Sequence, residues 1–295
     1  MMNEDQSGLG LPGGTLDVGD GRLLAWDEHG PADGPAVFYL HGSPGCRVQW
    51  SGIGEHARAA GIRLIAPDRP GCGASSFQAD RHINDWPSDL AALADHLELD
   101  QYWVLGASGG GPYALACAAA ADPRLVRVAV TSGVGPLDAE GAIQRLNDIN
   151  RGIFEAAADG IDALAPIMTA LVSGPEGSAG SMGDLIASLP PEDQSVVRGN
   201  PGLMEQLIDL SAAAVSGVEG LAYDIWLLTQ PWGFDPASIE IEVDFYAGDR
   251  DLNVPLEHLL DQSALVPHST LTVWPSAGHV EQMVRLPEVL ARLTR

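Results

Sequence analysis

A serine between two closely spaced glycines is the strongest chemical signal in this 295-residue chain. Gly106, Ser108 and Gly110 form a G-x-S-x-G pattern between a strand-like run at 101–105 and a helix-favouring run at 114–120. A sharp strand-to-helix turn strains the serine backbone, and glycines two residues away avoid a clash because they lack a Cβ atom. The pattern therefore predicts that the hydroxyl of Ser108 projects from a tight turn, where it could act as a nucleophile.

A serine hydroxyl reacts efficiently only when a base takes its proton and a third group orients that base. His279 follows the last strand-like run, and a parallel sheet would bring it to the same edge as Ser108. Asp249 and Asp251 both follow the preceding strand-like run, and either one satisfies the chain order Ser…Asp…His. We therefore predict Ser108 as nucleophile and His279 as general base, with one of the two aspartates as the orienting acid.

Backbone N–H groups beside the nucleophile could stabilise an oxyanion that develops on a substrate carbonyl. Gly109 follows Ser108 at the start of the predicted helix, and Ser43 follows another strand-like run through His41 and Gly42. The next residue, a proline, has no N–H. The N–H groups of Ser43 and Gly109 are therefore the predicted oxyanion hole.

Residues that flank the catalytic loops, or that end a long helical segment, are candidates for substrate binding. They are His41, Arg47, Trp50, Trp226 and Trp232. For Arg47 and Trp50, packing against a helix is an equally good interpretation, and for Trp226 and Trp232 aromatic packing in the core is the default.

Strand-like and helix-like runs alternate through most of the chain, which predicts an α/β fold with a parallel sheet and right-handed crossovers. Residues 136–235 interrupt this alternation with helical signals only, punctuated by glycine and proline. A helical insert between two strands is expected to form a lid over the catalytic edge. The predicted domains are a core of residues 1–135 and 236–295, and a helical cap of residues 136–235. The strand candidates lie at 14–18, 22–28, 36–40, 63–66, 101–105, 125–131, 241–246 and 270–274.

The formal charge is −25, which argues against nucleic acid or an anionic membrane as a partner. All 15 basic residues are arginine, a composition that fits either a high-GC genome or adaptation to high salt. Three cysteines, Cys46, Cys72 and Cys117, lack metal-ligand spacing and are predicted to be reduced thiols. We expect a cytoplasmic protein, because neither a signal-peptide pattern nor a long apolar run occurs. We also expect that the protein uses no metal or other cofactor.

Four motifs in this order resemble those of the α/β-hydrolase superfamily, in its lidded branch. They are His41-Gly42-Ser43-Pro44-Gly45, the loop 66–73, the turn at Ser108, and the pair formed by Gly248…Asp251 and Gly278-His279. The resemblance covers essentially residues 14–295. It implies a mostly parallel eight-stranded sheet with helices on both faces and a helical cap inserted after the sixth strand. It also implies that the acid is the last residue of a G-x-x-D loop, which is Asp251.

These features predict a cofactor-independent serine hydrolase that cleaves an ester or a related acyl bond, such as a lactone or thioester, in a small molecule. The same triad could instead carry out hydrolysis of a carbon–carbon bond, a perhydrolase reaction, or a biosynthetic lyase or cyclase step. A ligand-binding receptor built on the same fold is a possibility from a different functional class. Residues 136–235 contain three arginines and fifteen acidic residues, so we expect neutral or cationic substrates to be preferred.

Overall fold

A single eight-stranded sheet forms the centre of the molecule in the computed structural model. The structure describes residues 10–48, 52–173, 189–200, 203 and 216–295. The strands are β1 (Gly10–Asp17), β2 (Leu23–His29), β3 (Ala36–Leu40), β4 (Arg63–Pro67), β5 (Tyr102–Ala107), β6 (Leu125–Thr131), β7 (Val243–Gly248) and β8 (Ser269–Trp274). Each strand candidate from the sequence therefore corresponds to an observed strand, with ends that differ by a few residues.

The strands lie in the order β1-β2-β4-β3-β5-β6-β7-β8. β2 runs antiparallel to both β1 and β4, and the remaining neighbours are parallel. A short turn through Gly19 and Gly21, both with positive φ, is enough to connect the antiparallel pair β1 and β2. Parallel neighbours need longer crossovers, which the intervening helices supply. The predicted mostly parallel eight-stranded α/β sheet is confirmed.

Helices cover both faces of the sheet, which explains why its central strands are apolar throughout. In β3, Phe38 faces the core that contains α2 (Trp86–His96) and α3 (Gly111–Ala120), whereas Val37 belongs to the core on the opposite face. That second core also contains α1 (Ile53–Ala60) and the C-terminal helix (Leu286–Leu293). A strand that is buried on both faces needs apolar residues at consecutive positions rather than at alternate ones.

Helices occupy the described parts of the segment between β6 and β7. They are α4 (Asp148–Asp159), α5 (Ile161–Ser173), α6 (Pro191–Gly199) and α7 (Val218–Leu228). The chain then adds α8 (Leu256–Leu265), α9 (Glu281–Val284) and α10 (Leu286–Leu293) around the last two strands. Side chains of α4, α5 and α7 join the same apolar cluster as α3, so this part of the segment packs on the sheet domain. The cap boundaries at 136 and 235 stay a prediction.

Within the described ranges, no helix is long and apolar enough to cross a membrane. Cys46, Cys72 and Cys117 are free and buried. Burial raises the pKa of the Cys46 thiol to about 11, with Asp68 adding to the shift. Such a thiol is a weak nucleophile near neutral pH.

Candidate active site

The loops after five parallel strands meet at one edge of the sheet, because parallel strands all end on the same side. They surround a cavity of about 440 Å³ whose wall includes Ser108 and His279. Other polar groups on the wall are Ser43, Thr131, Asn253 and Gln282. The apolar part of the wall is formed mainly by Tyr39, Pro44, Leu189, Val280, Met283 and Leu286.

Ser108 occupies a strained turn between β5 and α3. Its φ is +53°, a left-handed conformation that costs free energy for a residue with a side chain. A Cβ atom on Gly106 would lie 2.5 Å from the carbonyl oxygen of Gly110, and one on Gly110 would collide with the end of β3. Both glycines are therefore required by close backbone approach, as the sequence pattern predicts.

His279 and Asp251 form a direct contact although 28 residues separate them along the chain. Nδ1 of His279 lies 2.7 Å from Oδ2 of Asp251. The other carboxylate oxygen of Asp251 accepts hydrogen bonds from the backbone N–H groups of Asn253 at 2.9 Å and Val254 at 2.8 Å. The Asp251 side chain is fully buried and held by three hydrogen bonds, so it can fix the orientation of the imidazole ring.

Asp249, the other candidate acid, is exposed and points to a different partner. Its Oδ1 accepts a hydrogen bond from the backbone N–H of Ser276 at 2.6 Å. This contact joins the two loops that carry Asp251 and His279, but it does not involve the imidazole. Of the two candidate aspartates, Asp251 is the one that contacts the imidazole.

Two carboxylates influence the charge of His279. Burial by itself would lower the pKa of the imidazole, but the attraction and hydrogen bond of Asp251 outweigh it, and Asp193 adds to their effect. The pKa of His279 is therefore raised above its ordinary value. Asp193 lies on α6, and no sequence signal pointed to it.

The backbones of Ser43 and Gly109 lie side by side at the cavity. A Cβ atom on Gly109 would be 2.9 Å from the backbone nitrogen of Ser43 and 2.5 Å from its hydroxyl oxygen. Ser43 is also followed by a cis peptide bond to Pro44. The two predicted oxyanion-hole residues are thus brought together, and the absence of a side chain at Gly109 permits their approach.

A buried ionic network holds the loop that carries Ser43. Asp224 of α7 accepts hydrogen bonds from the Ser43 hydroxyl at 2.6 Å and from Arg69 Nη2 at 2.8 Å. Arg69 also donates to the carbonyl oxygens of His41, at 2.5 Å, and of Gly42, at 3.0 Å. Although burial opposes ionisation, Arg69 and its neighbours hold the pKa of Asp224 well below its ordinary value.

Arg81 and Tyr113 complete this network. The Tyr113 hydroxyl donates to Asp224 Oδ1 at 2.8 Å, and Arg81 Nη2 lies 3.2 Å from the same oxygen. The loop 66–73 is one of the four sequence motifs, but its sequence indicates no role for Arg69. Asp224 carries no local signal, because its partners lie more than 100 residues away.

His41 and Arg47, two of the predicted substrate-binding residues, lie outside the cavity wall. His41 is 1% exposed, and its Nε2 accepts a hydrogen bond from the backbone N–H of Arg69 at 3.3 Å. Burial and the neighbouring Arg69 lower the pKa of His41 to about 3, so the ring is neutral. Arg47 pairs with Asp68 and with Asp27, its Nε lying 3.2 Å from Asp27 Oδ1.

The predicted tryptophans are also not among the residues of the described wall. Trp226 packs edge-on against Tyr223, with ring centroids 5.1 Å apart. Trp232 is 5% exposed and stacks on Phe234 at 5.6 Å. Trp50 lies outside the described residues. Aromatic packing therefore accounts for the contacts of Trp226 and Trp232.

The wall instead contains residues that sequence reasoning missed. Thr131 ends β6, and its hydroxyl donates to Oε1 of Gln282 at 2.9 Å. Gln282 and Met283 belong to α9, which begins two residues after His279. Their position after the predicted catalytic histidine was the available signal, since the first helical turn there must lie against the cavity.

Comparison with known proteins places this chain near one protein family and several curated relatives. A family model described as the alpha/beta hydrolase fold matches residues 35–171. The dihydrolipoyllysine-residue acetyltransferase component of an acetoin cleaving system from Pseudomonas putida is 28% identical over 91% of this chain and 65% of that protein. A bifunctional esterase/perhydrolase from Acinetobacter calcoaceticus is 30% identical over 42% of this chain and 46% of that protein. The chain thus spans less than two thirds of the length of these curated relatives.

Solved structures share the whole fold. A thermophilic esterase from Thermogutta terrifontis has a TM-score of 0.68, with 96% of this chain and 97% of that chain covered at 23% identity. This level of identity supports a common fold and leaves the reaction to be argued from the site itself.

Proposed function

We propose that this chain is a member of the α/β-hydrolase superfamily and a serine hydrolase that cleaves an ester or a related acyl bond. The family model over residues 35–171 and the fold shared with a solved esterase support the first part of this proposal. The observation that carries this proposal is the 2.7 Å contact of His279 with buried Asp251, on the same cavity as Ser108. A nucleophile, a base and an orienting acid are the groups that acyl transfer through a covalent intermediate requires.

In the proposed reaction, the Ser108 oxygen attacks the substrate carbonyl while Nε2 of His279 takes the serine proton. Asp251 accepts the hydrogen bond from Nδ1–H and stabilises the imidazolium that forms. The imidazolium then protonates the leaving alcohol as the tetrahedral intermediate collapses to an acyl-enzyme. Water attacks the acyl-enzyme with His279 again as the base, and the acid is released with Ser108 regenerated.

Stabilisation of the oxyanion is assigned to the backbone N–H groups of Ser43 and Gly109. The close approach of these two backbones supports the assignment. The hydrogen bonds of Arg69 and Asp224 to the loop that carries Ser43 support it as well. Donors that are fixed before the reaction need no reorganisation when negative charge develops, which is why such groups are effective.

The substrate we propose is a small molecule with an uncharged acyl part. A cavity of about 440 Å³ lies in the range of small-molecule sites. No arginine or carboxylate side chain occurs among the described residues of its wall, and most of that wall is apolar. The proposed cap takes part, since Leu189 precedes α6 and lines the same cavity.

A second candidate reaction is perhydrolysis on the same acyl-enzyme. The similarity to a bifunctional esterase/perhydrolase favours this reaction over carbon–carbon bond hydrolysis and over a lyase or cyclase step. Hydrogen peroxide would replace water as the acceptor, giving a peracid and free Ser108. Peracid formation from an ester and added hydrogen peroxide, measured against the Ser108→Ala variant, tests it.

Covalent labelling tests the main proposal. A fluorophosphonate probe should modify Ser108, as located by peptide mass mapping, and Ser108→Ala should lower kcat for a p-nitrophenyl ester by about 10⁴-fold or more. Ser88→Ala is the matched control, because Ser88 is exposed on α2 and should leave both readouts unchanged. Labelling at another residue, or a Ser108→Ala enzyme with near-normal turnover, contradicts the assignment.

A further inference from the structure

A second carboxylate lies against the loop that carries His279. Asp193, in the first turn of α6, is fully buried and accepts a hydrogen bond from the backbone N–H of Val280 at 2.8 Å. A side chain at Gly278 would collide with Asp193 Oδ1, so the carboxylate sits directly on the backbone of residues 278–280. Among the described residues, Asp193 Oδ2 has no hydrogen-bond partner.

The buried carboxylate of Asp193 is expected to lower the free energy of unfolding. Burial of a carboxylate with an unsatisfied oxygen costs several kcal/mol unless a positive charge compensates it. The apolar contacts of α6 do not need Asp193, since Val197, Val196 and Leu189 already pack the helix against the region around Val280 and Met283. An apolar residue at position 193 would suit docking better than an acid, so a charge at this place indicates a functional reason.

The group that can compensate Asp193 is His279. Burial raises the pKa of Asp193, and the negative charges of Asp251 and Glu192 add to that rise, whereas the Val280 N–H and the positive charge of His279 oppose it. Asp193 is in turn one of the two carboxylates that raise the pKa of His279. Ionisation of Asp193 is therefore most favourable at the moment when His279 carries a proton.

Apart from Asp251, the other charged groups near this loop are more exposed than Asp193. Asp249 and Arg250 are exposed on the loop after β7. Glu192, which precedes Asp193 on α6, and Glu281, at the start of α9, are partly exposed. Asp251 is the hydrogen-bonded partner of the imidazole. Asp193 is distinguished from the exposed groups by full burial and by its bond to the residue next to His279.

We propose that Asp193 is a positioning residue for His279, through which the helical segment between β6 and β7 fixes the catalytic loop and supplies a second negative charge to the imidazolium. This inference rests on the proposed role of His279 as general base. Asp193 touches neither Ser108 nor the substrate in this scheme and acts through the histidine. It links the position of α6 to the basicity of the active site.

Asp193→Asn separates the charge from the hydrogen bond, because the amide oxygen can still accept from Val280 N–H. Without the charge, the pKa of His279 falls, so the acid limb of kcat/KM should move to lower pH. The maximal kcat should fall by about tenfold, the value that corresponds to one pKa unit of lost stabilisation, with KM nearly unchanged. Asp193→Ala removes the hydrogen bond as well and should lower kcat further.

Glu192→Gln is the matched control, since it removes one negative charge from the same helical turn. The control should leave the pH profile and kcat unchanged. Thermal unfolding provides a second comparison: a carboxylate kept for function predicts an equal or higher Tm for Asp193→Asn, whereas a purely structural acid predicts a lower one. A purely structural role would also leave the acid limb in place.

Titration of the His279 imidazole by NMR, assigned with a His279→Gln variant, gives a readout that does not depend on turnover. The expected result is a lower His279 pKa in Asp193→Asn than in the wild type and in Glu192→Gln. An unchanged pKa, or an equal change in Glu192→Gln, overturns the role of Asp193. Failure of wild-type Ser108 to react with the fluorophosphonate would instead refute the proposed function, while the titration would still decide whether Asp193 acts on His279.

Discussion

Replacement of Asp251 by asparagine should abolish most of the activity through the tautomer of His279. The carboxylate has one oxygen on the imidazole and the other on two backbone N–H groups, those of Asn253 and Val254. An asparagine side chain has only one oxygen, and the two N–H groups bind it better than the imidazole does. The amide NH₂ must then face Nδ1 of His279, which leaves the imidazole proton on Nε2, where the ring cannot accept the proton of Ser108.

The opposite orientation of the asparagine does not rescue the enzyme. It would point NH₂ at two backbone donors and leave both unsatisfied, at a cost of about 1–3 kcal/mol each. The productive tautomer is therefore disfavoured by about 2–6 kcal/mol, a range that contains the value of about 5.5 kcal/mol corresponding to a 10⁴-fold loss in rate. We expect kcat to fall by about 10⁴-fold, as for loss of the orienting acid in serine hydrolases generally.

The assay is steady-state hydrolysis of a p-nitrophenyl ester at saturating concentration. A pH of about 8 is used because it lies above the ordinary range of histidine pKa values. The rate of fluorophosphonate labelling provides a second measure. Asp249→Asn is the matched control, because its exposed side chain can still accept from Ser276 N–H through the amide oxygen. Its effect should stay near twofold, about the usual range for surface substitutions. A reversed order of the two variants, or an Asp251→Asn enzyme within about tenfold of the wild type, would refute this reasoning.

Further predictions concern the base, the oxyanion hole and the charge of the substrate. Since His279 must be neutral to act and its pKa is raised, activity should fall as pH decreases through a midpoint above 6.5, and a kcat/KM profile with a lower midpoint contradicts this. Gly109→Ala should lower kcat by about 10²-fold, because the new Cβ would lie 2.5 Å from the Ser43 hydroxyl oxygen and displace the backbone of an oxyanion donor. A folded variant with kcat within about threefold of wild type argues against the assigned oxyanion hole. Residues 136–235 carry three arginines against fifteen acidic residues, a net charge of −12. Neutral esters should therefore exceed matched carboxylate-bearing esters in kcat/KM at low ionic strength, and added salt should narrow the difference in kcat/KM. An anionic ester that is preferred at low salt refutes the electrostatic argument.

Local strain explains why the turn at Ser108 could be predicted from sequence. The positive φ of Ser108 and the close backbone contacts of Gly106 and Gly110 are properties of a few consecutive residues, so they leave a pattern in the chain. The strands were predictable for a related reason. Burial on both faces requires continuous apolar runs, which the sequence shows directly.

The substrate-binding candidates were chosen by their position next to catalytic loops, and position along the chain does not determine the direction of a side chain. The His41 side chain accepts a hydrogen bond from the backbone N–H of Arg69, and Arg47 forms an ion pair with Asp68. The apolar wall comes from Leu189, Met283 and Leu286, which belong to three different helical regions. Only the packing of those regions decides which side chains reach the cavity.

The sequence by itself determined the fold class, the sharp turn at Ser108 and the order in which the loops of Ser108, Asp251 and His279 follow the strands. The residues left Asp249 and Asp251 both open, the family resemblance pointed to Asp251, and the tertiary structure shows that Asp251 contacts His279. The structure alone revealed Asp193 and Asp224 beside the two loops that they contact. The physical reason is the range of the interactions. Turn strain and strand burial act between near neighbours, whereas a buried carboxylate is defined by partners that are remote in the chain: Asp193 lies 87 residues from Val280, and Asp224 lies 181 residues from Ser43.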